Sequence, residues 1–463
     1  MFTSLWFLAL FGVVALAWYR TPAERRWLVA LAGSLVCYLA LDAAGFVLML
    51  LSALLVWLAA LRAGQGGNKG WLAVGAAACL LPLAALKYIA PPLGMNGLLV
   101  PFGISYYTLQ LLGYLLDVWY GKIPPEKNPG RVLCYGAFFL SITQGPFNRY
   151  GDLMPQLDAP RGFDRQRAVF GLQRMAWGYF QKFAVADRLA LAADAVFGSA
   201  GTMDRSQLLF GVVAYSLQLY ADFAGYTNLA LGAGEVLGLR LPENFRQPYF
   251  AQNVSDFWRR WHVSLSFWFR DYVYIPLGGN RRGLPRQLFN LLIVWVLTGI
   301  WHGAGSGYLT WGLYYFVLLA GSLLVFGRHK KAAAAKPAPL PLRMLRALRT
   351  SALACLGWLF FRAGSLSAAF EILRGIALRP GMGALSRYWE VGLDSRLELL
   401  LLFAGVAVLF VVDLLHEKGI PPRKTLAASA TPLRWAVYQA ALWSFLFMGV
   451  FLSSGSGFLY ARY

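Results

Sequence analysis

Apolar runs long enough to cross a hydrocarbon core, roughly 20 residues of helix each, recur from one end of the chain to the other and alternate with short polar breaks. The pattern predicts helices near 2–19, 27–62 (two short elements or one bent one), 71–89, 98–119, 132–145, 168–198, 208–236, 286–304, 308–326, 345–363, 396–416 and 433–453. That amounts to about eleven helices, some of them re-entrant rather than spanning. Pro82, Pro91, Pro92, Pro101 and Pro146 interrupt or flank several of these runs. Broken backbone survives at membrane depth only where protein or a water-filled cavity satisfies its polar groups. A cavity is therefore implied.

The runs leave no segment large enough for a separate soluble domain, so residues 1–463 are expected to form one integral-membrane domain of all-α class. With 58% hydrophobic and 14% charged residues, the chain has more apolar side chains than a soluble domain of this size buries. The net charge of +21 would suggest nucleic acid in a soluble protein. Here the basic residues fall between apolar runs (Arg20, Arg25, Arg26; Lys122, Lys127, Arg131; Arg328, Lys330, Lys331, Lys336, Arg343), as when Lys and Arg hold short loops in the cytoplasm. No nucleic-acid partner is expected; membrane lipids are. Residues 327–343, basic and rich in Ala and Pro, read as an exposed cytoplasmic loop in which His329 is solvated. Residues 2–19 read as the first membrane helix, because a signal peptide would carry a basic leading segment. The four cysteines (Cys37, Cys79, Cys134, Cys355) form no CxxC pair, so neither a disulfide framework nor a metal site is expected. No internal repeat or inverted symmetry of the transporter kind is visible.

Between residues 239 and 283 the apolar pattern breaks into LPENFRQPYFAQNVSDFWRRWHVSLSFWFRDYVYIPLGGNRRG. Aromatic rings at this density suit headgroup depth. Arginines pair bidentately with phosphates, and Asp256 and Asp271 are placed to orient them. The segment is read as interfacial or re-entrant, and an amphipathic helix resting on the membrane remains open. Further on, in LLIVWVLTGIWHGAGSGYLTWG, His302 falls within an otherwise apolar helix, where an ionisable group costs a few kcal/mol and is by default a functional candidate. A buried neutral histidine bonded to a backbone carbonyl is the competing reading. Gly299, Gly303, Ala304, Gly305 and Gly307 beside it are expected to leave room for a substrate chain near the backbone. The GxSxG elbow is absent, Ile420 removes the second histidine of an HExxH site begun by His416-Glu417, and no Walker A sequence occurs.

Six segments carry a close resemblance to the membrane-bound O-acyltransferase family, in its bacterial branch similar to alginate O-acetyltransferases. They are PFGISYYTLQLLGYLLDVWYGKI (101–123), QGPFNRYGDLMPQL (144–157), LYADFAGYTNLALG (219–232), NFRQPYFAQNVSDFWRRWHVSLSFWFRDYVYIPLGGNR (244–281), TGIWHGAGSGYLTWG (298–312) and WLFFRA (358–363). Asn228 stands where an Asp is expected after DFxGYT, and GPFNR replaces the commoner GPIxR. Both departures bear on the acceptor branch rather than the reaction.

The resemblance implies tilted helices around a central funnel or pore in the bacterial cytoplasmic membrane. His302 would be the general base or proton relay and His262 a second acid/base or orienting group. Arg259, Arg260 and Arg270 would bind donor phosphates or hold Asp256 and Asp271, with cytoplasmic charge anchoring the alternative. Trp258, Trp261 and Trp301 would line the funnel. Asp222, in an apolar run, is either a helix-pairing residue or part of the site, with structure favoured. No bound cofactor is implied. The donor would be cytoplasmic acetyl-CoA, the acceptor a cell-surface polysaccharide or peptidoglycan, and an extracytoplasmic O-acetyltransferase the partner. A D-alanyl transferase of the teichoic-acid type using a carrier-protein thioester, and a glycan or lipid transporter without chemistry, are the rival readings.

Overall fold

Polar side chains set where the apolar runs break. In the computed structural model, residues 2–89, 100–159, 161–327, 338–381, 391, 393 and 395–446 are described, and among them every regular element is helical. Among the described residues, seven helices are long and apolar enough to cross a membrane: 43–63, 69–89, 205–237, 283–302, 306–325, 340–362 and 396–417. The described chain divides into two compact units, one comprising residues to Gly178 with Tyr226–Glu243, the other Tyr179–Gly225 with the residues from Asn244 onward.

The first unit contains α1 (Leu5–Arg20), α2 (Arg26–Leu41), α3 (Ala43–Ala63), α4 (Lys69–Ala84), α5 (Ile104–Trp119), α6 (Pro129–Gly136), α7 (Tyr150–Leu157) and nearly all of α8 (Arg165–Tyr179). The run 27–62 is two helices because Asp42 intervenes. Its carboxylate accepts the Gly45 amide at 2.7 Å, capping α3, and the Phe102 amide at 2.9 Å. The predicted helix 98–119 starts only at Ile104, after Gly103 in left-handed backbone (φ 74°). The predicted helix 132–145 is shorter still. α6 ends at Gly136, and buried irregular chain follows to Arg149, pinned by the Tyr135 hydroxyl donating to the Asn148 carbonyl at 2.7 Å. A Cβ on Gly145 would lie 2.2 Å from the Leu140 carbonyl oxygen, a chain reversal that only glycine fits. α7 follows this irregular stretch and was not predicted.

The second unit begins with π-wound turns Phe180–Ala186 that lead from α8 into α9 (Asp187–Gly198). α10 (Arg205–Leu237) is unbroken, and its residues from Tyr226 belong to the first unit, where Gly232 meets Gly171 of α8 so closely that a Cβ on either would lie within 2.6 Å of the other's carbonyl oxygen. Two short helices, α11 (Val254–Arg260) and α12 (Val263–Phe269), occupy the polar segment. Then come α13 (Gly283–His302), α14 (Ser306–Phe326), α15 (Leu340–Arg362), α16 (Leu366–Leu378), α17 (Arg396–Glu417), α18 (Pro422–Ala428) and α19 (Thr431–Leu446). α16 and α18 were also unforeseen. Most of the predicted loop 327–343, with His329, lies outside the described residues, as does the end of the predicted helix 433–453. Residues 340–343 are already helical, because prolines at the first helical positions are compatible with a helix start.

Candidate active site

His302 is the last residue of α13, not an interior one; the helix stops there because Gly303 adopts an extended backbone (φ 174°, ψ 169°) and opens the three-residue turn to α14. That turn folds α13 and α14 into an antiparallel hairpin, with α15 against α14. The flanking glycines serve this packing instead of leaving room for a substrate chain. A Cβ on Gly299 would lie 2.7 Å from the Tyr308 carbonyl oxygen, one on Gly307 2.6 Å from that of Phe360, and one on Gly303 2.3 Å from the Tyr308 ring. The expectation of open space at these positions is therefore corrected: neighbouring helices fill it, because close backbone approach is how small residues pack helices in lipid.

The hairpin buries His302 at 3% exposure. Its ring meets Trp301 at 4.8 Å, Trp311 at 5.1 Å and Phe361 at 5.1 Å, all edge-on. Aromatic edges and faces pack an imidazole without demanding that it carry charge.

His262 arrives at the same place from another part of the chain. It is the residue between α11 and α12 and takes left-handed backbone (φ 44°, ψ 51°), strained for a residue with a Cβ. The segment before α11 holds it there. The Val263 amide donates to the Asn244 carbonyl at 3.0 Å, and the Ser264 hydroxyl to the Asn244 side-chain oxygen at 2.6 Å. The Arg246 amide donates to the Arg260 carbonyl at 2.9 Å. The imidazole is 2% exposed, edge-on to Phe223 at 4.7 Å, and 6.4 Å from the Trp301 ring. His262 lies outside the seven long apolar helices, and burial lowers its pKa from 6.5 to about 3. Trp301 thus has both imidazoles within 6.4 Å of its ring.

The other tryptophans form a continuous wall. Trp258 contacts Trp295 at 4.8 Å and Tyr315 at 4.8 Å, while Trp261 meets Trp358 at 4.6 Å and Phe245 at 5.1 Å. Trp358 reaches Trp311, hence His302, at 5.9 Å. Trp295, Trp311, Trp358 and Phe361 were not singled out from sequence. Several stood inside the quoted motifs, but nothing in their spacing says that they converge.

The arginines behave differently from one another. Arg260 is half-buried, 3.2 Å from Asp256 and 2.6 Å from Glu417, and these carboxylates hold its guanidinium firmly protonated. Glu417 was not anticipated, being 157 residues away. Arg270 is exposed, paired with Asp271 at 2.6 Å and lying over the Phe267 ring at 4.2 Å. Arg259 is exposed and donates to the Ser255 carbonyl of its own helix. Asp222 is buried in an ion cluster: Lys182 Nζ lies 2.8 Å from its carboxylate and 2.8 Å from that of Asp187. Neither Lys182 nor Asp187 was flagged by sequence. In the first unit, Arg174 donates to Asn228 at 3.0 Å and to Glu235 at 2.9 Å, so the residue that departs from the family pattern is held by an arginine. No group of three or more His, Cys, Asp or Glu placed to hold a metal occurs among the described residues.

Residues 128–378 match the model of the membrane-bound O-acyltransferase family. The chain is 34% identical to a probable alginate O-acetylase AlgI of Pseudomonas aeruginosa, over 80% of this chain and 74% of that one. It is 33% identical to a peptidoglycan O-acetyltransferase of Helicobacter pylori, over 60% of this chain and 57% of that one. It is 28% identical to a teichoic acid D-alanyltransferase of Bacillus subtilis, over 55% of this chain and 69% of that one. With its long apolar helices and its paired buried histidines, the chain belongs to the membrane-bound O-acyltransferase family and is a multi-pass acyltransferase of the bacterial cytoplasmic membrane.

Proposed function

We propose that the protein takes an acetyl group from cytoplasmic acetyl-CoA and delivers it for O-acetylation of a cell-surface polysaccharide or peptidoglycan, together with an extracytoplasmic O-acetyltransferase partner. The observation that carries this reading is the pair of buried imidazoles, His262 and His302, both beside the Trp301 ring. The acceptor hydroxyl attacks the thioester carbonyl carbon, its proton passes to His302, the C–S bond breaks, and the proton leaves with the CoA thiolate. His262, neutral and locked by the Asn244 contacts, orients the reacting groups or relays the proton. The ring wall limits water, so hydrolysis of the thioester is slow beside transfer to the hydroxyl. Arg259 and Arg270, exposed in the basic segment, meet the donor phosphates, while Arg260 stays with Asp256 and Glu417.

Two considerations favour acetyl over D-alanyl transfer. The relatives named for O-acetyl transfer match at 33–34% identity, against 28% for the D-alanyl transferase, and they cover more of this chain. A buried, ring-lined site also favours a small uncharged acyl group over one bearing an ammonium. The test uses purified protein in nanodiscs with labelled acetyl-CoA. Thioester consumption that depends on His302 supports the reading. Activity only with an acyl-carrier protein thioester would move the protein to the D-alanyl branch. Wild-type surface acetylation by stably inserted His302→Ala and His262→Ala variants would leave transport without chemistry.

A further inference from the structure

One cavity in the second unit is separate from the histidines and has a distinct chemistry. It measures ≈ 390 Å³, within the ~300–1,000 Å³ of small-molecule sites, is partly open, and lies between the end of α9 with the turn after it and the α15–α16 junction. Its walls include Phe197, Ser199, Thr202, Arg362, Glu371 and Ile372.

The cavity sits at the helix ends remote from the basic segments. Arg281, Arg282 and Arg286 begin α13, the sequence joining α14 to α15 carries Arg328, Lys330, Lys331 and Lys336, and Lys418, Arg423 and Lys424 follow α17. Arg349 near the start of α15 donates to the Gln252 carbonyl, close to the Arg260–Glu417 pair, which gathers these ends together. By the positive-inside rule that end is cytoplasmic. The opposite end holds the turn after His302, the close of α15 and the cavity, which therefore face outward.

The charges around the cavity cancel. Arg362 donates to Asp194 at 2.7 Å and lies over the rings of Phe197 and Tyr215 at 5.4 and 5.9 Å. Arg379 lies 3.9 Å from Glu371 and donates to the carbonyls of Ala200 and Met203. In the wall itself one guanidinium, Arg362, thus stands against one carboxylate, Glu371, and each is paired with a residue outside the wall. A phosphate or polyanion would need an excess of positive charge, whereas a neutral polyol offers hydroxyls that donate to carboxylates and accept from guanidinium groups. Ser199 and Thr202 add hydroxyls, and Gly198 has open space where a Cβ would stand, so a ring approaches the backbone there. Phe361, adjacent to Arg362, packs on the His302 imidazole at 5.1 Å.

We infer that this cavity is a saccharide subsite for a neutral, hydroxyl-rich segment of the acyl acceptor on the outer face. Its link to acyl transfer rests on the function proposed above; binding itself does not. The test measures equilibrium binding of tritiated mannotriose and of trimannuronate to the full chain in nanodiscs, with acetyl-CoA hydrolysis followed separately in the same preparations. Saturable mannotriose binding is expected, at least fivefold tighter than trimannuronate, weakened about tenfold by Ala368→Trp, which fills the cavity, and severalfold by Glu371→Gln. Hydrolysis is expected to stay within twofold of wild type in both variants. Absence of saturable mannotriose binding, equal binding by the Ala368→Trp variant, or tighter binding of the uronate would overturn the inference. Saccharide binding without any thioester hydrolysis would leave the subsite standing and remove the catalytic reading instead.

Discussion

The second unit buries two kinds of basic side chain in opposite ways. Lys182, 2% exposed, sits between the carboxylates of Asp187 and Asp222 at 2.8 Å each, a cluster of one cation and two anions. His302, 3% exposed, is walled by the rings of Trp301, Trp311 and Phe361. An ammonium taken out of water must be compensated by opposite charge, whereas an imidazole is buried neutral at modest cost and keeps a nitrogen able to take a proton. Under the function proposed above, the difference separates architecture from chemistry: the lysine cluster holds helices together, and the ring-lined imidazole takes the proton.

The largest effect expected from this contrast is on rate. His302→Ala lowers thioester consumption by roughly 10²- to 10⁴-fold, the range for loss of a general base, with the unfolding midpoint in detergent near wild type. A loss of folding with retained specific activity would reverse the roles assigned to the two sites. Lys182→Met has the opposite signature: it strands two carboxylates and destabilises by about 3–5 kcal/mol, measured by thermal or denaturant unfolding. Lys182→Met/Asp222→Asn, which leaves one carboxylate, recovers part of that loss. No recovery would mean that the pairs are not what the lysine supports.

His262 sharpens the comparison because backbone and side chain contribute separately. Glycine is indifferent to φ 44°, so His262→Gly should be more stable than His262→Ala by about 1–2 kcal/mol, while both lose the imidazole and equal activity. Equal stability of the two variants would remove the strain argument. A separate prediction concerns pH. Folded His262 holds its proton only below about 3, against 6.5 unfolded, so its contribution to stability is full above 6.5 and lost as pH falls from 6.5 towards 3. Comparing wild type with His262→Gln over that window should show the wild type losing more stability on acidification. Parallel curves would mean that folding leaves the imidazole pKa where it is in the unfolded chain.

Much of the fold is legible along the chain. Runs such as 286–304, 308–326 and 396–416 became α13, α14 and α17 with small changes at the ends, because length and hydropathy are local properties of consecutive residues. The predicted helix 132–145 ends at Gly136 because apolar composition does not encode the Gly145 reversal or the Tyr135–Asn148 bond that keeps the following chain irregular. His302 stood out because ionisable groups are rare in apolar surroundings, and His262 through the family resemblance. Their partners did not: Glu417 and Lys182 are ordinary charged residues in sequence, 157 and 40 positions from the groups they hold.

The sequence by itself determined that this is a helical membrane protein and that His302 is exceptional, since both follow from the cost of placing particular side chains in hydrocarbon. Tertiary structure decided that both imidazoles lie beside Trp301, that neighbouring helices fill the space at the glycines near His302, and that one guanidinium stands against one carboxylate in the wall of the outer cavity. Contacts between distant segments arise from packing whole helices against each other, and no local pattern records which side chains that packing brings together.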